Sequence, residues 1–106
     1  MRLIISTISE NDAPRVARCL VEERLVACVN IVPAVRSIYS WQGKIEDDSE
    51  ALMLMKTTAE TVGQLTGRLR ELHPYDVPEI ISVTLNSDEG NPDYLDWVKG
   101  VVGADF

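Results

Sequence analysis

The sequence predicts an α+β protein: a ferredoxin-like sandwich, β-α-β-β-α-β, with one further helix at the C-terminal end. Three observations carry this. Two segments have helical spacing and each follows a strand-like run. The middle of the chain, from Ala27 to Lys56, reads as two long strands around a glycine turn. No linker, repeat or low-complexity stretch divides the 106 residues, so they form one domain.

The elements follow in order. Leu3-Ile4-Ile5 is short, apolar and β-branched, as a buried strand requires. Ser9-Glu10-Asn11-Asp12 supplies helix-capping oxygens and negative charge where a helix begins. Ala13, Val16, Ala17, Leu20 and Val21 then share one face, opposite Arg15, Arg18, Glu22 and Glu23, which predicts an amphipathic helix to about Leu25. Ala27 to Trp41 is rich in β-formers and lacks a helical period, and Pro33 within it marks an edge or a bulge. After the turn at Gln42-Gly43-Lys44, the run from Ile45 to Lys56 ends in the apolar stretch Ala51 to Met55.

Thr57-Thr58-Ala59-Glu60 has the spacing of a capping box and opens a second helix, with Val62, Leu65, Leu69 and Leu72 on one face and Pro74 as its stop. Pro78 to Leu85 reads as the last strand. Asn91 and Pro92 suit the cap and first position of a short third helix, with Tyr94, Leu95, Val98 and Val101 as its apolar face.

A sheet covered on one face should alternate apolar and polar residues. Here Leu3 to Ile5, Leu52 to Met55 and Ile80-Ile81 are apolar on both faces. The third helix can hide part of the second face, and a partner subunit is expected over the rest.

Composition excludes several classes. Hydrophobic residues make up 45% of the chain, yet no apolar run approaches the ~20 residues of a membrane helix. The first residues have no charged and apolar leader pattern, so a cytoplasmic protein is expected. Seventeen acids against ten bases give a net charge of −7, and the bases are scattered, which argues against nucleic acid as a partner. Cys19 and Cys28 fit neither a disulfide framework nor a zinc motif.

The chemistry on offer is sparse. His73 is the one histidine, and beside a helix end it suits a structural contact. No phosphate loop, zinc-protease or EF-hand spacing occurs. Asp47-Asp48-Ser49-Glu50 offers oxygens to a hard cation but reads as a solvated part of the hairpin. Tyr39 and Trp41, two apart on a strand, point to one face. With Tyr75 and Trp97, and with Lys56 and Glu79 nearby, they suit a cleft or subunit boundary as well as a core.

Several segments together resemble one family. They are ACVNIVP (Ala27 to Pro33), SIYSWQGKIED (Ser37 to Asp47), Lys56-Thr57-Thr58, LHPYDVPEII (Leu72 to Ile81) and Tyr94 to Val98. In order and spacing they look like the CutA, or divalent-cation-tolerance, family over nearly the whole chain. That resemblance implies a non-catalytic homotrimer of ferredoxin-like subunits, similar to the PII signalling proteins, with long hairpins reaching across neighbours. It also implies a link to divalent-metal tolerance and copper binding, with no cofactor required and Cu(II) or another divalent cation as the optional one. Transferred to this chain, it makes His73 and Glu79 candidate metal ligands and places Tyr39, Trp41, Lys56, Tyr75 and Trp97 at an intersubunit cleft. Some members assign copper to a cysteine at the end of the first strand and to a histidine pair. Here those positions read Ser6 and Leu72-His73, and Ser6 offers no soft ligand. The alternative implied by the same architecture is a PII-like trimer that binds a small ligand or a protein.

Overall fold

A computed structural model describes residues 1–103. The elements are β1 (Arg2–Ile8), α1 (Ala13–Glu22), β2 (Cys28–Trp41), β3 (Lys44–Thr57), a single 3-10 turn (Ala59–Thr61), α2 (Val62–Leu72), β4 (Ile81–Thr84) and α3 (Pro92–Val101). The strands form one antiparallel sheet in the order β2-β3-β1-β4. This is the split βαβ arrangement expected for a ferredoxin-like sandwich.

The two faces of the sheet differ in cover. On one, Ile4, Ile8, Ala51, Met53 and Met55 pack against Val16 and Leu20 of α1 and Leu65 and Leu69 of α2, all buried. The other face follows from the register, which pairs Leu3 with Lys56 and Val83, Ile5 with Leu54 and Ile81, and Val32 with Leu52. Only a corner of it is covered: Val98 of α3 and Val102 pack with Ala27 and Met1. Ile81 stays 52% exposed and Val83 41%. The predicted two-sided sheet is therefore present, with its second face largely open in one chain.

The hairpin carries two features of consequence. Gln42 and Gly43 both have positive φ, at 49° and 80°, which makes the two-residue connection the kind that matches strand twist. Further back, the register slips between Val32 and Val35, so Pro33 and Ala34 face one partner residue. Of the edge or bulge that Pro33 predicted, both are present: β2 is an edge strand and is bulged here. Ala34 sits at φ 59°, and its N–H donates to the Glu10 carboxylate at 2.6 Å.

Four sequence expectations shift. β1 runs on to Ile8, because Ser6 and Thr7 continue its ladder with Met53 and Leu52. α1 stops at Glu22 instead of near Leu25, because Arg24 turns left-handed (φ 58°) and the Arg24 and Leu25 N–H groups bond back to Val21 and Leu20. The capping box does not form: Thr57 stays in β3, and its buried hydroxyl donates to the Leu25 carbonyl at 2.8 Å. β4 is only four residues long, and Pro78 to Ile80 precede it outside the sheet. The third helix starts as expected, with Asn91 Oδ1 accepting the Asp93 N–H at 3.1 Å and Pro92 in the first turn.

Thr57 ties the end of β3 to the chain leaving α1, and its side chain is fully buried. Thr57→Val keeps the shape and removes the donor. It is expected to cost about 1–3 kcal/mol, measured as the shift in urea unfolding at constant slope.

Candidate functional site

Below the bulge, the sheet and the chain after α2 enclose a cleft of about 930 Å³. Its walls include Tyr39 and Trp41 of β2, Glu50 of β3, and Tyr75 and Glu79 from the segment between α2 and β4. A second hollow of about 500 Å³ adjoins it, shares Tyr39, Glu50 and Tyr75, and adds Glu10 and Asp48. The bulge is what turns the aromatics here. It adds one residue to β2, so Tyr39 and Trp41 pair with Glu46 and Lys44 on the side of the sheet away from α1 and α2.

Each tyrosine hydroxyl is bound to a carboxylate. Tyr39 donates to Asp48 at 2.6 Å, and Tyr75 donates to Glu50 at 2.8 Å. The Asp48 carboxylate beside Tyr39 pushes its pKa up to about 12. Burial, then the bond to Glu50, pushes Tyr75 up as well. Both therefore stay protonated at neutral pH. Arg36, the cation in the wall, is held by Asp47 through two bonds of 2.9 and 2.7 Å.

His73 stands behind the cleft, 7% exposed. Its Nδ1 accepts the Tyr75 N–H at 3.2 Å, so Nε2 carries the ring proton and donates to the Thr7 carbonyl at 2.9 Å. The ring also lies 4.7 Å from the Tyr75 ring. Burial lowers its pKa below the ordinary 6.5, with the Thr7 carbonyl, Glu50 and Asp12 pulling the other way. The imidazole is thus a brace between β1 and the cleft segment, and neither nitrogen offers a free lone pair to a metal.

The structure brings together Tyr39, Trp41, Tyr75 and Glu79 of the predicted set. It does not bring Lys56 or Trp97 to them within one chain. Lys56 bonds to Asn30 and lies 3.9 Å from the Cys28 sulfur on the open face, and Trp97 stacks on Tyr94 with ring centroids 5.6 Å apart. The soft ligands are dispersed too: Cys19 donates to Glu23 beside Arg68, Cys28 lies by Lys56 on the open face, and Ser6, buried in the sheet, supplies none. Among the described residues, no three His, Cys, Asp or Glu side chains converge as a metal site. Sequence reasoning passed over Glu50, which is buried against Tyr75 and not solvated like Asp47 and Asp48. Its position opposite Val35, just past the bulge, was the available signal.

The family model for CutA1 divalent ion tolerance protein matches residues 2–101. The divalent-cation tolerance protein CutA of Thermus thermophilus is 48% identical over 95% of this chain and 96% of its own. Protein CutA of Mus musculus is 50% identical over 88% of this chain, which spans about half (51%) of the mouse protein. Among solved structures, the PII-like protein CutA from a Nostoc species in apo form superposes with a TM-score of 0.91 at 37% identity, covering 96% of this chain and 97% of that one. CutA1 from Oryza sativa superposes at 0.92 and 35% identity, with 98% and 94% covered.

The His73 brace makes stability depend on pH. The folded pKa lies below 6.5, so between the two values the unfolded chain binds more protons. The contribution is complete above about pH 6.5 and is lost as pH falls towards the folded pKa. Asp12 and Glu23, whose pKa values are lowered from 3.8 and 4.5, act only at lower pH. A fall in urea midpoint from pH 7 to pH 5 that is absent in His73→Gln is the expected result.

Proposed function

The chain belongs to the CutA1 divalent ion tolerance family, and from that premise we propose that it works as a non-catalytic homotrimer that binds divalent cations, copper among them, weakly. The observation that carries this reading is the cleft of carboxylates and aromatics beside an open apolar sheet face. The open face supports the trimer, because Ile81, Val83 and Val32 gain apolar burial when a second copy covers them. The lack of a three-ligand cluster among the described residues supports weakness: a cation meets exposed Glu79 and its neighbours, and ligation by His73 would cost the Tyr75 hydrogen bond. The absence of catalysis is supported by the one histidine being held at both nitrogens. A cytoplasmic setting is supported by two free cysteines, and among the described residues no helix is long and apolar enough to cross a membrane. The sparse basic surface supports partners other than nucleic acid.

A second reading, a PII-like trimer that senses a small ligand or protein, is favoured by the cleft volume of about 930 Å³, which lies in the range of small-molecule sites.

Sedimentation equilibrium is expected to give three times the 11.8 kDa of one chain. The melting temperature is expected to rise with protein concentration and to lie above the mesophile range of about 45–65 °C. A monomer at micromolar concentration removes the trimer. Calorimetric titration with Cu(II) is expected to show weak binding that falls several-fold in Glu79→Gln and is unchanged in His73→Gln. Loss in His73→Gln alone would return the site to the imidazole.

A further inference from the structure

The cleft's hydrogen-bonding character narrows what it can hold. The tyrosine hydroxyls in its wall are already engaged, Tyr75 on Glu50 and Tyr39 on Asp48, and Arg36 at its rim spends two of its five N–H donors on Asp47, which neutralises its charge. Around Glu50 the groups facing a ligand are acceptor oxygens, from the tyrosine hydroxyls and the free lone pairs of Glu50 and Glu79, while the Trp41 indole N–H and the outer N–H groups of Arg36 are donors at the rim. Glu50 is 7% exposed, yet no ion pair among the described residues involves it. A buried carboxylate ordinarily has a cationic partner. Trp41, Tyr39 and Tyr75 stand around the same space, 46%, 42% and 36% exposed. Aromatic faces beside carboxylates attract a desolvated organic cation more than a hydrated metal ion. The net charge of −7 adds a long-range pull on cations.

We infer that the cleft lined by Trp41, Tyr39, Tyr75 and Glu50 is a receptor for an alkylammonium group. This rests on reading the cleft as a ligand site and adds the class of ligand. The group has two sources: a free amine, or a lysine of a second copy. Lys56 is the candidate lysine, since it stands on the open sheet face beside Asn30 and does not line the cleft of its own chain. Either way the N–H donors meet the free acceptor oxygens and the charge meets Glu50 across aromatic faces.

The test uses the whole chain carrying Trp97→Phe, so that Trp41 is the one indole, with putrescine as probe. Saturable quenching of Trp41 by putrescine, without a response to sodium butyrate, is expected if the cleft is open. Calorimetry on Trp41→Leu is then expected to show binding weakened about 3- to 10-fold. Saturation seen only after adding Lys56→Gln assigns the resident ammonium to a neighbouring copy and equally supports the inference. No saturable response in either protein overturns it, and so does an equal response to butyrate. Magnesium chloride matching putrescine at equal charge also overturns it, while leaving the divalent-cation reading standing.

Discussion

A four-stranded sheet with two apolar faces and helices enough for one is the constraint on which the rest of this molecule depends. β1 and β3 alternate Ile4, Ile8, Met53 and Met55 towards α1 and α2 with Leu3, Ile5, Leu52 and Leu54 towards the other side. α3 reaches only the corner at Ala27 and Met1. Fully burying an aliphatic side chain is worth about 1.5–3 kcal/mol, and Ile81 and Val83 start about half-exposed, so each gains roughly 1 kcal/mol on being covered, and a patch of them is a sizeable fraction of the stability of a small domain. The edges add to this: β2 is long and β4 is four residues, and both leave backbone groups unpaired on their outer sides. One chain is a half-finished core, and the cleft lies at the border of the unfinished part.

Two local devices place the cleft on that border. The Pro33-Ala34 bulge changes which residues of β2 face which side: before it Asn30 and Val32 share the open face with Leu54 and Leu52, after it Val35 shares that side with Glu50. Without the extra residue, Tyr39 and Trp41 would point the other way. Glu10, at the start of the turn into α1, holds the bulge through the Ala34 N–H. The second device is His73, which joins the Thr7 carbonyl of β1 to the backbone of Tyr75. Pro74 follows it at once, so the segment leaves α2 without the freedom to continue as helix. Strand and segment are thereby fixed independently, and the two tyrosine–carboxylate pairs close the gap between them.

The elements that were legible in the sequence are those where one local rule acts alone. The apolar stripe of α1, the Asn91-Pro92 start of α3, and Pro33 as a bulge all needed only neighbours within a few residues. The failures come where tertiary contacts outweigh local preference. Thr57 has a capping partner in Glu60 by spacing, but the buried Leu25 carbonyl takes its hydroxyl instead. Glu50 looks like one more acid in a charged run, and only the fold shows Tyr75 beside it. Lys56 and Trp97 group with the cleft by resemblance, yet within one chain they belong to the open face and to α3. A sequence states which residues matter together, but it does not state whether they meet in one chain or across two.

The hydroxyl protons of Tyr39 and Tyr75 decide the sign of the cleft. A tyrosine that donates outward would welcome a phosphate or carboxylate; one that donates inward, to Asp48 or Glu50, presents lone pairs to whatever enters. Its raised pKa makes that polarity persistent, because the proton does not leave at any ordinary pH. Nor does the carboxylate pair form a chelate, since each acid points at its own tyrosine and, among the described residues, no third ligand converges with it. On the cation-binding reading proposed above, such a site selects for positive charge and is undemanding about coordination geometry. Tight, metal-specific binding requires fixed ligand number and distance; weak, general attraction of cations requires only acceptors, aromatic faces and a negative field. The proposed site is of the second kind, and on that reading discrimination among cations comes from size and from contact with the ring faces.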